Sequence, residues 1–289
     1  MIFRLGTVHS NQNGFDQLAA LTDATQDLSG SRLELDLVGC RFFEANMAAP
    51  LAVILARVTD RYNAIEIVNV PVNIEKILRK NGFLIFYGYE KIEDSNRTVI
   101  PFRRIQLADE GRFEDYLGRH LKGKGIPKMT VGLGRVFRQS IFEIFQNSVI
   151  HSESKLGVFV CGQFFPQLQR LDFTLADAGI GIRNSVRRVF NPKISSVEAI
   201  RWALVEGHTS KTGNQPGGVG LKFLQDFVAL NRGKLQIASR RGFYESAAGK
   251  EKYVKMHGDF RGTVVNLEIN TGDSNVYQLS SEISPDSIF

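Results

Sequence analysis

Acidic and glycine-rich punctuation in the second half of the chain constrains the fold more than any other feature. Four patches follow one another: Glu143-Ile-Phe-Gln-Asn147, Asp177-Ala-Gly179-Ile-Gly181, Gly217-Gly218-Val219-Gly220-Leu221 and Gly262-Thr263. The segments between them differ in period. Residues 136–151 place Phe137, Ile141, Ile144, Phe145 and Ser148 on one broad face, as an amphipathic helix does. Glu143, Asn147 and His151 then succeed one another at four-residue steps along one stripe of that helix. Leu171-Asp-Phe-Thr-Leu175 alternates as a strand and delivers Asp177, and a further helix starts near Ile182. A polar, glycine-rich span over 207–220 precedes a helix over 221–230, and Gly262-Thr263 opens a strand over 264–269.

Each patch has a chemistry and a plainer reading. A carboxylate, an amide and an imidazole on one stripe can meet a hydrated Mg²⁺ and a water. Mg²⁺ prefers oxygen ligands and keeps several waters, so a single side-chain oxygen such as that of Asn147 suffices. A solvated helix edge has the same pattern, and His151 is equally open to a capping or core role. Asp177 at a strand end can accept the exocyclic amine of adenine, and Gly179 and Gly181 let backbone approach a ring closely. An ordinary turn into a helix has that composition too. The span over 207–220 can offer backbone N–H groups and a helix N-terminus to phosphate oxygens, or be a surface loop. It is not a P-loop, because no Gly-Lys-Ser/Thr follows a glycine at the required spacing.

Taken in this order and spacing, the four patches resemble the N-box, G1, G2 and G3 motifs of the GHKL ATPase superfamily, which includes DNA gyrase, heat-shock chaperones, histidine kinases and MutL. The resemblance spans roughly residues 130 to 270. It implies an α/β (α+β) fold, a Bergerat-type two-layer α/β sandwich binding ATP and Mg²⁺. It makes Asn147 the Mg²⁺ ligand and Glu143 the base that orients or deprotonates the nucleophile. Asp177 takes the adenine amine, Gly179 and Gly181 close the base and ribose pocket, and Thr263 adds a hydroxyl beside Asp177. Thr209, Ser210 and Lys211 resemble lid residues that touch phosphates, ahead of the Gly217, Gly218, Val219, Gly220 and Leu221 run. Glu143, Asn147 and His151 together resemble the anti-sigma-factor kinase branch, where a His follows the Mg²⁺ ligand by one turn.

The first part of the chain has its own pattern. Between residues 32 and 86 it reads strand (33–38), helix (48–58), strand (65–70) and helix (72–80), with Gly82 stopping the last. With Asn69-Val-Pro71 leaving the second strand, residues 1–90 resemble a STAS domain of the anti-sigma-factor-antagonist type. Phosphorylatable STAS domains carry Asp-Ser before the helix. Here the stretch is Phe43-Glu44-Ala45-Asn46-Met47, in which Ala45 has no hydroxyl and Asn46 cannot accept a phosphoryl group. The unit is therefore expected to dock or dimerise, with a plain structural domain as the alternative. Residues 91–129 read as a strand (98–106), a helix (109–121) and a hinge, Lys122-Gly-Lys-Gly-Ile-Pro127. The ATP-binding unit would then occupy 130–289. The hinge predicts few contacts across the boundary, so a fragment beginning near Gly125 should fold and bind ATP.

Composition bounds the rest. The chain has 289 residues, 43% hydrophobic and 23% charged, and no apolar run of the ~18 residues a membrane span needs. A soluble, cytoplasmic protein with no membrane partner is expected, since the polar His9–Gly14 stretch fits no secretory signal. Cys40 and Cys161 stand apart without metal-ligand spacing and read as buried thiols. A net charge of +6 is modest for this length. The leading functional expectation is an ATPase whose nucleotide state shifts association, as a homodimer or with a protein partner through the N-terminal unit. The runner-up is a protein Ser/Thr kinase of the anti-sigma type, and the third reading is a non-catalytic ATP-dependent interaction module. Arg183, Arg187 and Arg188 would let such a module meet nucleic acid or protein. A histidine kinase is disfavoured, because neither His9 nor His120 lies in a two-helix hairpin.

Overall fold

A computed structural model describes residues 1–106, 108–151, 154–205, 207 and 220–282, the side chains at 149–151 excepted. The chain is a mixed α/β protein. It opens with β1 (Ile2–Arg4), α1 (Gln12–Thr25), β2 (Arg32–Asp36), α2 (Ala48–Asp60), β3 (Ala64–Val68) and α3 (Val72–Lys80). The three strands pair in chain order and in parallel, so α1 and α2 are the crossovers that parallel neighbours require. β1 and α1 are absent from the sequence reading. The polar stretch that hid them is the helix start itself: Asn11 is the N-cap, and its Oδ1 accepts from the Gly14 N–H at 3.0 Å.

There follow β4 (Val99–Ile105), α4 (Glu110–His120), β5 (Lys128–Met129) and α5 (Val131–His151). Next come β6 (Val158–Phe165), β7 (Arg170–Asp177), α6 (Ile182–Val189), α7 (Ser196–Ala203) and α8 (Gly220–Asn231). The described chain closes with β8 (Lys234–Ala247), β9 (Lys250–Asn270) and β10 (Val276–Tyr277). β4, β6, β7, β9 and β8 form, in that order, a five-stranded antiparallel sheet, while β5 and β10 make a separate pair. One expectation is corrected here. β9 begins at Lys250, so Gly262-Thr263 lies inside a long strand and does not open one.

Both faces of this sheet are covered. Leu171, Phe173 and Leu175 of β7, with Val265, Leu267 and Ile269 of β9, pack against Phe113 of α4, Ile141 and Phe145 of α5, and Leu224 and Val228 of α8. The alternate positions turn the other way. Phe159 and Cys161 of β6, Ala176 of β7, and Phe260 and Val264 of β9 share one apolar cluster with Phe15 and Leu18 of α1 and Val53 and Ile54 of α2. Few contacts were expected between the first unit and the rest, and that expectation fails because the two halves share a core.

Polar residues weld the seam. Asn46, fully buried, donates from Nδ2 to Ser10 Oγ at 2.8 Å, to Thr174 Oγ1 at 2.9 Å and to Asn266 Oδ1 at 3.0 Å. Asn266 Nδ2 passes the network on to Gln236 Oε1 at 2.9 Å, and Gln236 Nε2 returns to Ser10 O at 2.8 Å. Arg170 Nη2 lies 3.0 Å from Glu44 Oε1 and 3.1 Å from Asp172 Oδ2, joining the two halves a second time. Cys40 and Cys161 are buried free thiols, as their spacing suggested. Among the described residues no helix is long and apolar enough to cross a membrane.

Candidate functional site

Strand parity aims Asp177. It continues the Leu171, Phe173, Leu175 series, so its side chain turns toward α5 while Ala176 and Ala178 turn toward the first unit. The carboxyl is almost wholly buried, 3% exposed. Its Oδ1 accepts from the Gly179 N–H at 2.7 Å and its Oδ2 from the Ser148 hydroxyl at 3.2 Å. Burial pushes Asp177 up to about 6, while the Gly179 N–H, the Ser148 hydroxyl and the Arg57 guanidinium all favour the charged form. Each carboxylate oxygen accepts one of these bonds and has a lone pair left over, so Asp177 retains acceptor capacity.

The fourth patch reaches the same strand end. Thr263 is the register partner of both Asp177 and Ser239, and the Ser239 and Thr263 hydroxyl oxygens lie 3.2 Å apart. Gly262 has φ 136°, and a Cβ there would strike the Asp177 carbonyl, so no other residue lets β9 pass β7 at this point. Ser239, which the sequence reading missed, donates to Gly262 O at 2.8 Å and accepts from the Ile182 N–H at 2.9 Å. It fixes the start of α6 beside the 177–181 turn. Gly181 makes room on that side, since a Cβ would lie 2.9 Å from Ser239 Oγ and 2.8 Å from Arg240 Cγ.

α5 is one unbroken helix, so Glu143, Asn147 and the His151 backbone do lie along one stripe. Asn147 is half-buried beside Ser148, the donor to Asp177. Glu143 has a task the sequence did not disclose. Its Oε2 accepts from the Gly220 N–H at 2.9 Å, which makes it a carboxylate cap on α8. α5 crosses so close to this point that a Cβ on Gly220 would lie 2.7 Å from Glu143 Oε2. Leu221 packs partly buried into the core behind it. Thr209, Ser210, Lys211, Gly217, Gly218 and Val219 lie outside the described residues, as does the His151 side chain.

The N-terminal unit reaches the same loop. Arg57 of α2 donates from Nη2 to the carbonyls of Ala178 and Gly179, the latter at 3.1 Å. Nothing in the spacing of Arg57 foretold this, because the partners lie more than a hundred residues apart in the chain. The residues present offer the acceptor an adenine amine needs at the Asp177 end, a buried carboxylate with spare lone pairs. They also fit a Mg²⁺ held mainly by water and phosphate. Asn147 offers one oxygen, and no three His, Cys, Asp or Glu residues gather into a metal cluster among the described residues. No protein-family model matches the chain, and no curated protein matches it.

Proposed function

We propose that the chain is a Mg²⁺-dependent adenine-nucleotide-binding protein of the GHKL kind, built on a Bergerat-type sandwich, which hydrolyses ATP. One observation carries the reading. Asp177 is a buried acceptor at a strand end, with Thr263 across the ladder, the Gly179 amide on one carboxylate oxygen and the Ser148 hydroxyl of α5 on the other. The second and fourth patches thus meet at one carboxylate, and Ser148 brings α5, the helix of the first patch, to it.

In this reading Asp177 accepts the adenine amine and selects against guanine, whose corresponding position is a carbonyl. Asn147 would offer its side-chain oxygen to Mg²⁺, whose charge would offset that of the phosphates. The α8 N-terminus is an anion position that Glu143 fills in the structure described. A phosphate arriving there competes with Glu143 for the Gly220 amide and releases the carboxylate to act as base. The STAS-like first unit then serves as a fixed partner of the sheet. A kinase reading loses that unit as its phosphoacceptor, since Asn46 carries no hydroxyl and is buried in the seam.

Incubation of the intact protein with γ-labelled ATP and Mg²⁺ tests the proposal. Release of labelled phosphate supports it. Label retained on protein would move the function to phosphotransfer, and absence of both together with absence of ATP binding would remove it.

A further inference from the structure

A second cleft, of about 400 Å³, opens on the side of the 177–181 turn away from α5. Its walls are the C-terminal ends of α1 and α2, the 154–156 segment, Ala178 and Arg261 of β9. Four cations face it, Arg57, Arg61, Lys155 and Arg261, against one lining carboxylate, Asp60. The guanidinium groups are held in place by neutral acceptors. Arg61 donates to Gln26 O and, at 2.8 Å, to Thr25 O; Arg261 donates to Gln26 Oε1 at 2.8 Å; Arg57 donates to Ala178 O and Gly179 O. Carbonyls orient these groups without neutralising them. Buried Nε atoms of Arg57, Arg61 and Arg261 find no acceptor among the described residues. Arg240 shares an unpartnered Nε but differs in having its carboxylate, Asp259 Oδ2 at 2.6 Å.

Collecting like charges in a half-enclosed cleft is unfavourable unless something negative joins them. Arg57 registers the cost. Burial first, then the neighbouring Arg261, Arg240 and Arg61 guanidiniums, hold it below its ordinary value, with only Asp177 opposing. Guanidinium forks preset by carbonyls match the paired oxygens of a phosphate group. The cleft is bounded and of small-ligand size, which a nucleic-acid strand running over an open surface does not need.

We propose that this cleft binds a small phosphate-bearing anion through Arg57, Arg61, Arg261 and Lys155. The site is separate from the nucleotide reading and does not depend on it. Its phosphate contacts would lie against the carbonyl side of the turn whose carboxyl side is Asp177.

The test is calorimetric titration of the intact protein with inorganic phosphate and with pyrophosphate, with chloride balancing ionic strength. Saturable binding is expected, weakened at least about tenfold by Arg261→Gln through loss of charge-assisted hydrogen bonds. Lys155→Gln at the exposed rim, which cannot disturb the core, should weaken it in the same direction. Lys250→Gln removes the same charge at the distant β8–β9 hairpin and should leave binding unchanged. Equal weakening in all three variants would reduce the effect to general charge and overturn the site. Absence of saturable binding, or unchanged binding in both cleft variants, would overturn it as well. A single-stranded oligonucleotide that bound more tightly than pyrophosphate would reassign the cluster to nucleic acid and likewise contradict the proposal.

Discussion

Asp177 shows how one buried carboxyl sets stability against function. Its value rises from 3.8 to about 6, so the native state binds its proton more tightly than the unfolded chain. The associated stability is complete below about pH 4 and is lost as pH rises through about 6. At about 1.4 kcal/mol per pK unit, ionised Asp177 costs on the order of 3 kcal/mol at pH 8. Asp177→Asn keeps an acceptor for the Gly179 N–H and offers Ser148 a donor, so it should stabilise the ligand-free protein at pH 8 and be neutral near pH 4. Thermal melts of the two proteins across that range check this. The sign reverses for ligand. Adenine-nucleotide affinity should fall as pH drops below about 6, because the protonated carboxyl loses an acceptor.

Among the elements, α5 and α8 meet at a contact with two possible roles. Glu143 caps α8 through the Gly220 N–H and is also the candidate base. Glu143→Gln separates them, since the amide oxygen still accepts from Gly220 but cannot take a proton. Its melting temperature should match the parent while turnover falls ~10²–10⁴-fold. Glu143→Ala should lose turnover and also about 1 kcal/mol of stability with the cap. Equal turnover in both variants and the parent would leave Glu143 with the structural role alone. The elements legible in the sequence are those whose period is their own: α5 at helical spacing, β7 by alternation, α3 ended at Gly82. Those missed lack such a signature. α1 hides behind its polar cap, and β8 and the first part of β9 change register between Ser239 and Gly242, which interrupts the period of two and leaves only the 264–269 end of β9 legible.

At the scale of the whole molecule, alternation misleads about the sheet. Asp172 and Thr174 on β7, and Asn266 on β9, read as a solvent-facing side, yet they are buried beneath the first unit. There Thr174 and Asn266 meet Asn46, and Arg170 beside Asp172 reaches Glu44, pairings across the seam that no local window contains. The Gly/Pro hinge is present in sequence, but flexibility at one point says nothing of the surface that docks afterwards. A fragment beginning at Gly125 would expose Phe159, Phe243, Phe260 and Val264, and should aggregate on gel filtration unless residues 1–124 are co-expressed with it. Asn46→Ala should cost about 3 kcal/mol in urea unfolding, because it strands buried partners at Ser10, Thr174 and Asn266. The adenine site remains the central claim, and calorimetry on the intact chain tests it most directly. With Mg²⁺ present, ATP should bind saturably, GTP at least about tenfold more weakly, and Asp177→Asn should bind neither. Equal affinity for ATP and GTP, or parental ATP affinity in the Asp177→Asn protein, would contradict the account.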